Sequence, residues 1–292
     1  MDANFWRPSP RIPVRLEIGT PFFFKLKAPH NAIAGFGYFA GFSVLPDWLA
    51  WETFGAANGV GDLRALRDRL SRIQAGARIA ADPSGRIGCS MIAEATFFDP
   101  VDWVFPPRDW RARTQTGARY DLGVGEGLRI WTECHARASR QAPLPTGILE
   151  PGLVAREAAP RYGAPSFTTP RLGQGIFRVS VLSAYRYACA VTSEHSLPVL
   201  EAAHIRPYAD GGGHLIPNGL SLRSDLHRLF DRGYVTVDEN YRFVVGNRLR
   251  EDFENGRSYY GLKGTALSLP SEKALQPSLA ALEWHRAEVF LG

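Results

Sequence analysis

The sequence is poor in cysteine. Its 292 residues hold three, Cys89, Cys134 and Cys189, far apart and odd in number. That argues against a disulfide framework and for a reducing, cytoplasmic setting. There is no Cys-x-x-Cys pair, so a structural zinc held by cysteines is not expected, and Cys189 reads as a small buried hydrophobe. Lysine is scarce too, limited to Lys25, Lys27, Lys263 and Lys273, and arginine supplies the rest of the positive charge. With so strong a skew, no single arginine carries much weight. The start, Met1 to Pro10, is polar and Pro-rich, so no signal peptide is expected. Long hydrophobic runs are also missing. The uncharged stretch from Asn31 to Pro46 is too short for a membrane span, contains Gly35, Gly37 and Gly41, and stops at Pro46-Asp47. It reads as a strand, and no membrane association is expected. No internal repeat is present.

What remains is the composition of an ordinary folded chain. Hydrophobic residues make up 45% of it, which suits a globular protein long enough for two cores. The formal charge is +5 and the pI about 9.2, compatible with a nucleic-acid partner without being diagnostic of one.

The most informative stretch runs from Cys189 to Gly233. Val199 and Leu200 favour a strand that ends at His204. Gly211-Gly212-Gly213 and Asn218-Gly219 break and turn the chain. A short amphipathic segment from Leu220 to Phe230 follows. Leu222, Leu226, Leu229 and Phe230 recur at helical spacing, with Ser221 or Ser224 as candidate N-caps. The expected order is strand, loop, short strand, helix. On the helix His227 and Asp231 are four apart and share a face, so an imidazole and a carboxylate can hold one divalent cation. His204 would stand opposite them as a base.

These residues resemble the ββα-metal core of HNH endonucleases. The resemblance is carried by Ala202-Ala203-His204-Ile205 at a strand end, the Asn218-Gly219 turn and the helix Leu226-His227-Arg228-Leu229-Phe230-Asp231. It starts near Arg171 and fades after about Arg250. It implies a general base at His204, which suits an imidazole titrating near the working pH. It implies Mg2+, or Mn2+, at the scissile phosphate, with His227 as a ligand. Asn218 would hold the loop and orient the base. Asp231 is taken as the second ligand from its helical spacing. Many HNH enzymes carry a ligating Asp or His directly before the base. Here that position is Ala203, so the metal must rely on Asp231, on water, or on Glu201. Arg171, Arg206 and Arg228 are candidate phosphate contacts. His195 and His214 fall in expected turns and receive no catalytic role.

Residues 1–137 read as one domain. Pro21 to Lys27 and Ala32 to Ser43 read as strands, the second bent or bulged at its glycines. Residues 47–55 and 61–74 read as helices, the latter with Leu63, Leu66, Leu70 and Ile73 on one face. Arg86 to Phe98 reads as a returning strand. The run Gly19 to Lys25 followed by Ile33-Ala34-Gly35-Phe36-Gly37 resembles the PUA-like superfamily of EVE, ASCH, YTH and SRA domains. Several of its members hold a modified or flipped base in an aromatic-lined pocket, which requires flat side chains for stacking. Trp48, Trp51, Trp103, Trp110 and Tyr38 are the candidates here. Trp103 and Trp110 flank Pro106-Pro107 in an expected loop, where core packing explains an aromatic less well.

Residues 138–170 are punctuated by Pro143, Pro145, Pro151, Pro160, Pro165 and Pro170 and read as a linker, with helical turns near Leu149 to Glu157. Residues 171–292 form the nuclease region, with a helix over 176–187 behind its core, a hairpin across Asp238-Glu239-Asn240 and a C-terminal helix. The expected fold is therefore α+β. A PUA-like β-barrel-type domain with flanking helices precedes a ββα-metal nuclease. Together they resemble modification-dependent restriction endonucleases acting on double-stranded DNA with modified cytosine. One HNH site cuts one strand, so a homodimer is expected. Two alternatives stay open: an HNH nuclease of another defence or mobile-element system that senses a different ligand or RNA, and a non-catalytic DNA-binding protein.

Overall fold

The computed structural model describes residues 1–11, 16–110, 117–141, 172–254 and 256–292. The fold is mixed α/β, and its main sheet curls into a half-barrel. Four strands make that sheet: β1 (Ala3–Arg7), β2 (Pro21–Lys25), β3 (Ile33–Pro46) and β4 (Arg86–Phe97), in the order β1-β4-β3-β2. The uncharged stretch from Asn31 to Pro46 contains β3. Ile33 to Gly37 are all buried, as a strand covered on both faces requires. β2 and β3 are antiparallel, with Phe23 opposite Phe36 and Lys25 opposite Ile33. β3 thus spends one extra residue there, a bulge beside Gly35 at φ +157°. Among the described residues, no helix is long and apolar enough to cross a membrane.

Helices α1 (Asp47–Phe54) and α2 (Leu63–Ala77) follow β3. Asp62 caps α2, accepting a hydrogen bond from the Ala65 backbone N–H at 2.7 Å. Leu66 and Leu70 are buried, but Ile73 is 40% exposed, so the apolar face is narrower than its spacing suggests. α3 (Gly125–Gln141) was not expected from the sequence. It buries Ile130 and Cys134, one turn apart, and brings Trp131 and His135 against Phe36.

The described residues pack as two compact units. One takes Met1, 16–40, 92–110 and 117–141, and the other takes 2–11, 41–91, 172–254 and 256–292. Residues 1–137 are therefore not one unit. The reason lies in pairings that chain order does not reveal. The Asp2 carboxylate accepts hydrogen bonds from the backbone N–H groups of Gly173 and Ile176, both at 3.1 Å, at the start of α4 (Gln174–Ala184). Ser43 meets Tyr187 at 2.6 Å between hydroxyls. Of the expected linker, 138–141 are the last turn of α3, and the remainder, with the turns near Leu149 to Glu157, lies outside the described residues.

In the second unit β5 (Leu200–His204) and β6 (Gly219–Arg223) pair antiparallel, from Leu200 opposite Arg223 to His204 opposite Gly219. α5 (Ser224–Asp231) follows directly. β6 absorbs Leu220 to Leu222, which the helical spacing had assigned to the amphipathic segment, because cross-strand pairing with β5 wins. Neither serine caps α5. Ser221 is fully buried in β6, Ser224 is the first helical residue, and Arg223 at the N-cap makes no side-chain capping bond. β7 (Val235–Val237) and β8 (Phe243–Val245) form the expected hairpin. α6 (Arg248–Phe253), α7 (Arg257–Tyr260) and α8 (Leu279–Glu288) complete the unit. One apolar core joins Phe177 and Val181 of α4, Leu200, Leu220, Leu226 and Phe230.

Candidate active site

The β5–β6 pairing sets the site. Antiparallel register ends at His204 opposite Gly219, so residues 205–218 form a loop that must return across the strand end. Asn218 ties this loop together. Its Oδ1 accepts from the Arg206 backbone N–H at 3.0 Å, and its Nδ2 donates to the carbonyls of Arg206 and Gly213, both at 2.9 Å. None of these bonds goes to His204, so Asn218 holds the loop rather than the base itself. Gly212 is required where the loop closes, because a Cβ there would collide with the Arg206 carbonyl. Gly219 serves a different purpose. A Cβ there would strike Phe177 and Val181 of α4, and its absence lets Phe177 lie beneath the base. The rings of Phe177 and His204 stack at 4.0 Å with 12° between their planes.

On α5, Leu226 and Phe230 turn into the core, and the neighbouring i,i+4 pair His227 and Asp231 lines a cleft with His204. The cleft measures about 390 Å³, and His214, Tyr208 and Gln174 also line it. His227 is held between two carboxylates. Its Nδ1 lies 2.6 Å from Glu201 Oε2 and its Nε2 lies 3.3 Å from Asp231 Oδ2. Ala203, at the position of the missing ligand, is wholly buried in the core. Glu201, two residues back on the same strand, spends its carboxylate on His227 Nδ1 rather than replacing that ligand.

The electrostatics separate the two histidines. Burial, then the charges of His214 and His227, pushes His204 below the usual imidazole value, and Asp231 only partly offsets this. A neutral His204 is what a proton acceptor needs. For His227 burial acts downward as well, but the hydrogen bonds and charges of Asp231 and Glu201 outweigh it and the net shift is upward.

The donor set fits a divalent cation. With Nδ1–H directed to Glu201, the lone pair of Nε2 faces an Asp231 oxygen at 3.3 Å. Two acceptors so placed need positive charge between them, either a second proton on the ring or a metal ion. Among the described residues there is no group of three or more His, Cys, Asp or Glu arranged to hold a metal. One imidazole and one carboxylate, completed by water and phosphate, is the sparse coordination that Mg2+ accepts.

The other sequence candidates are placed as follows. Arg171 lies outside the described residues. Arg206 is spent on the loop: its Nε donates to the Asp210 carbonyl at 2.6 Å, and its guanidinium lies 5.2 Å from the Trp284 ring centre. Arg228 is exposed on α5. Of the aromatic candidates, Tyr38, Trp103 and Trp110 are in the first unit, whereas Trp48 and Trp51 are in the second. Tyr38 packs edge-on against Phe36, and Lys25 Nζ sits 4.7 Å from the Trp110 ring centre. Trp103 lines a cleft of about 310 Å³ with His30, Asn31 and Phe105. His30 meets its ring edge-on at 5.1 Å.

Two residues that contact the histidines of the cleft were given little or no part by the sequence. Glu201 ranked last among possible carboxylates, and His214 received no role. His214 Nδ1 lies 3.0 Å from His204 Nε2. The one available signal for it was the glycine triplet beside it, which lets the loop fold back over the strand end.

No curated protein matches the sequence. Among solved structures, a chain described as "Modification dependent TagI restriction endonuclease" is similar to this one at 21% identity and a TM-score of 0.31, over 39% of this chain and 37% of that chain. The sequence of residues 189–238 matches the family model described as HNH endonuclease, and the paired strands, loop and helix that build the cleft are an HNH endonuclease domain.

Proposed function

We propose that the protein is a divalent-metal-dependent DNA endonuclease that restricts DNA bearing modified cytosine. The observation that carries the cutting half is the cleft itself, where a neutral His204 shares one cavity with the His227–Asp231 pair. His204 accepts the proton of the attacking water. Asn218 keeps the loop closed over the strand end. His227 and Asp231 hold Mg2+ or Mn2+, with Glu201 fixing the ring of His227. The bound cation supplies charge for the scissile phosphate and the leaving oxygen. Arg228, exposed on the same helix, is the remaining phosphate contact.

Base recognition is assigned to the N-terminal region, residues 1–137, as a PUA-like reader, and within it to the unit that holds 16–40 and 92–110. A nuclease that touches mainly backbone takes no sequence information from it, so selectivity must come from elsewhere in the chain. The cleft beside Trp103 supports this reading, since it offers a flat ring, the polar His30 and Asn31 and the 66%-exposed Phe105. A double-strand break needs two such sites, and a homodimer supplies them.

The test is cleavage of one DNA sequence in three forms, unmodified, with 5-methylcytosine and with 5-hydroxymethylcytosine, in Mg2+ or Mn2+. His204→Ala is the control. Cutting of a modified form alone, lost in the variant, is the expected result. Equal cutting of all three keeps the nuclease and removes the reader. DNA binding without cutting under any condition removes the nuclease. Native mass measurement with and without DNA tests the dimer, and monomer alone counts against it.

A further inference from the structure

His214 is not among the residues that carry the HNH resemblance, yet it meets one of them, His204, in a specific geometry. His204 Nε2 and His214 Nδ1 are 3.0 Å apart, a hydrogen-bond distance between two ring nitrogens. Both rings are fixed from behind. Phe177 stacks on His204 at 4.0 Å, and Tyr208 stacks on His214 at 5.4 Å with 9° between the planes. Among the described residues His204 Nδ1 has no hydrogen-bond partner.

Two nitrogens can share only one proton, and its position decides what His204 can do. If His214 donates, His204 carries its own proton on Nδ1 and spends its only lone pair on His214. No base is then left. If His204 donates from Nε2, the lone pair stays on the unengaged Nδ1. We propose that His214 is a positioning residue that accepts the Nε2–H of His204, fixing the base in the tautomer whose Nδ1 lone pair faces the attacking water. In the reaction that water loses its proton to Nδ1. His204 becomes an imidazolium, and its Nε2–H keeps the same acceptor throughout. Tyr208 holds the His214 plane so that no reorientation is needed when the charge appears.

This proposal rests on the nuclease reading, and the experiment separates the two. The first arm does not depend on activity: 15N spectra of the histidine rings in the full-length protein, assigned with single histidine variants. The expected result is a proton on His204 Nε2 with scalar coupling across the hydrogen bond to His214 Nδ1. A proton on His204 Nδ1 overturns the proposal, whether or not the protein cuts DNA. The second arm compares two substitutions in cleavage assays. His214→Phe keeps a flat ring against Tyr208 and removes the acceptor. His214→Asn offers a carbonyl oxygen near the position of Nδ1. A positioning role predicts that His214→Phe lowers kcat by about 10–100-fold with KM for DNA unchanged, the usual cost of losing a partner that orients an active-site ligand. His214→Asn should recover most of that loss. Equal impairment of the two variants, at unchanged melting temperature, contradicts the proposal. So does a His214→Phe protein that cuts at the wild-type rate.

Discussion

Glu201 on β5 and His227 on α5 meet at 2.6 Å between Oε2 and Nδ1, so a strand carboxylate sets the orientation of a helix imidazole. That contact leaves Nε2 of His227 directed at Asp231. It predicts that Glu201→Ala raises the Mg2+ or Mn2+ concentration needed for half-maximal cleavage by about 10–100-fold. A metal titration of DNA cleavage measures it. Superimposable wild-type and variant curves would mean that His227 is held without Glu201.

Burial is the first cause that lowers the pKa of His204 and favours its neutral form. As the proton acceptor His204 should contribute about 10²–10⁴-fold to the rate. His204→Ala is therefore expected to lose cleavage by that factor while binding DNA within about twofold of wild type, since the base touches water rather than backbone phosphate. Cleavage rate and DNA affinity, measured on the same preparation, separate the two effects. A parallel loss of affinity would assign His204 a binding role instead.

Asn218 is the side chain that ties both ends of the loop over the strand end. Asn218 is 9% exposed and makes three hydrogen bonds to the backbone of Arg206 and Gly213. Asn218→Ala strands one N–H and two carbonyls, which should cost about 2–3 kcal/mol of stability. Asn218→Asp should cost more, because it sets a carboxylate against two carbonyl oxygens. Urea unfolding of the three proteins gives the order. If Asn218→Asp proves as stable as wild type, the amide does not hold the loop.

The residues that could be read from the sequence are those whose spacing is local. His227 and Asp231 are four apart, and any helix through them puts both on one face. His204 and Asn218 stand at breaks that valine, leucine, glycine and asparagine mark without tertiary help. Glu201 and His214 could not be read in this way. Each reaches its partner, His227 for Glu201 and His204 for His214, only through the register of β5 against β6 and the return of the loop between them. The start of α5 failed for a related reason. Leu222 and Leu226 fit a helical period, yet Leu222 belongs to β6 and faces the same core from a strand. The segments 2–11 and 41–91 were assigned by chain order, and packing on the nuclease core decides otherwise. α3 went unseen because its two buried apolar positions, Ile130 and Cys134, make a stripe too short to stand out.

The last prediction concerns pH and a histidine the chemistry does not use. His285 of α8 is 1% exposed and lies against Phe230, with ring centres 3.7 Å apart. Its Nε2 must carry a proton, because its partner at 3.1 Å is the Phe230 carbonyl, which can only accept. Its Nδ1 then accepts from the Thr236 hydroxyl at 2.9 Å. The neutral ring is fully satisfied, and burial pushes its pKa from 6.5 down to about 4. Unfolding exposes a ring that binds a proton below about 6.5, whereas the folded ring stays neutral until about 4. This site's contribution is therefore complete above 6.5 and is lost as pH falls toward 4. At about 1.4 kcal/mol per pH unit the total is about 3 kcal/mol. His285→Gln cannot titrate, so its stability should fall less steeply with acid than that of wild type. Denaturant midpoints at half-unit steps between pH 7 and 4 measure the two slopes. Parallel curves would show that the folded protein takes up a proton at His285 as readily as the unfolded chain does.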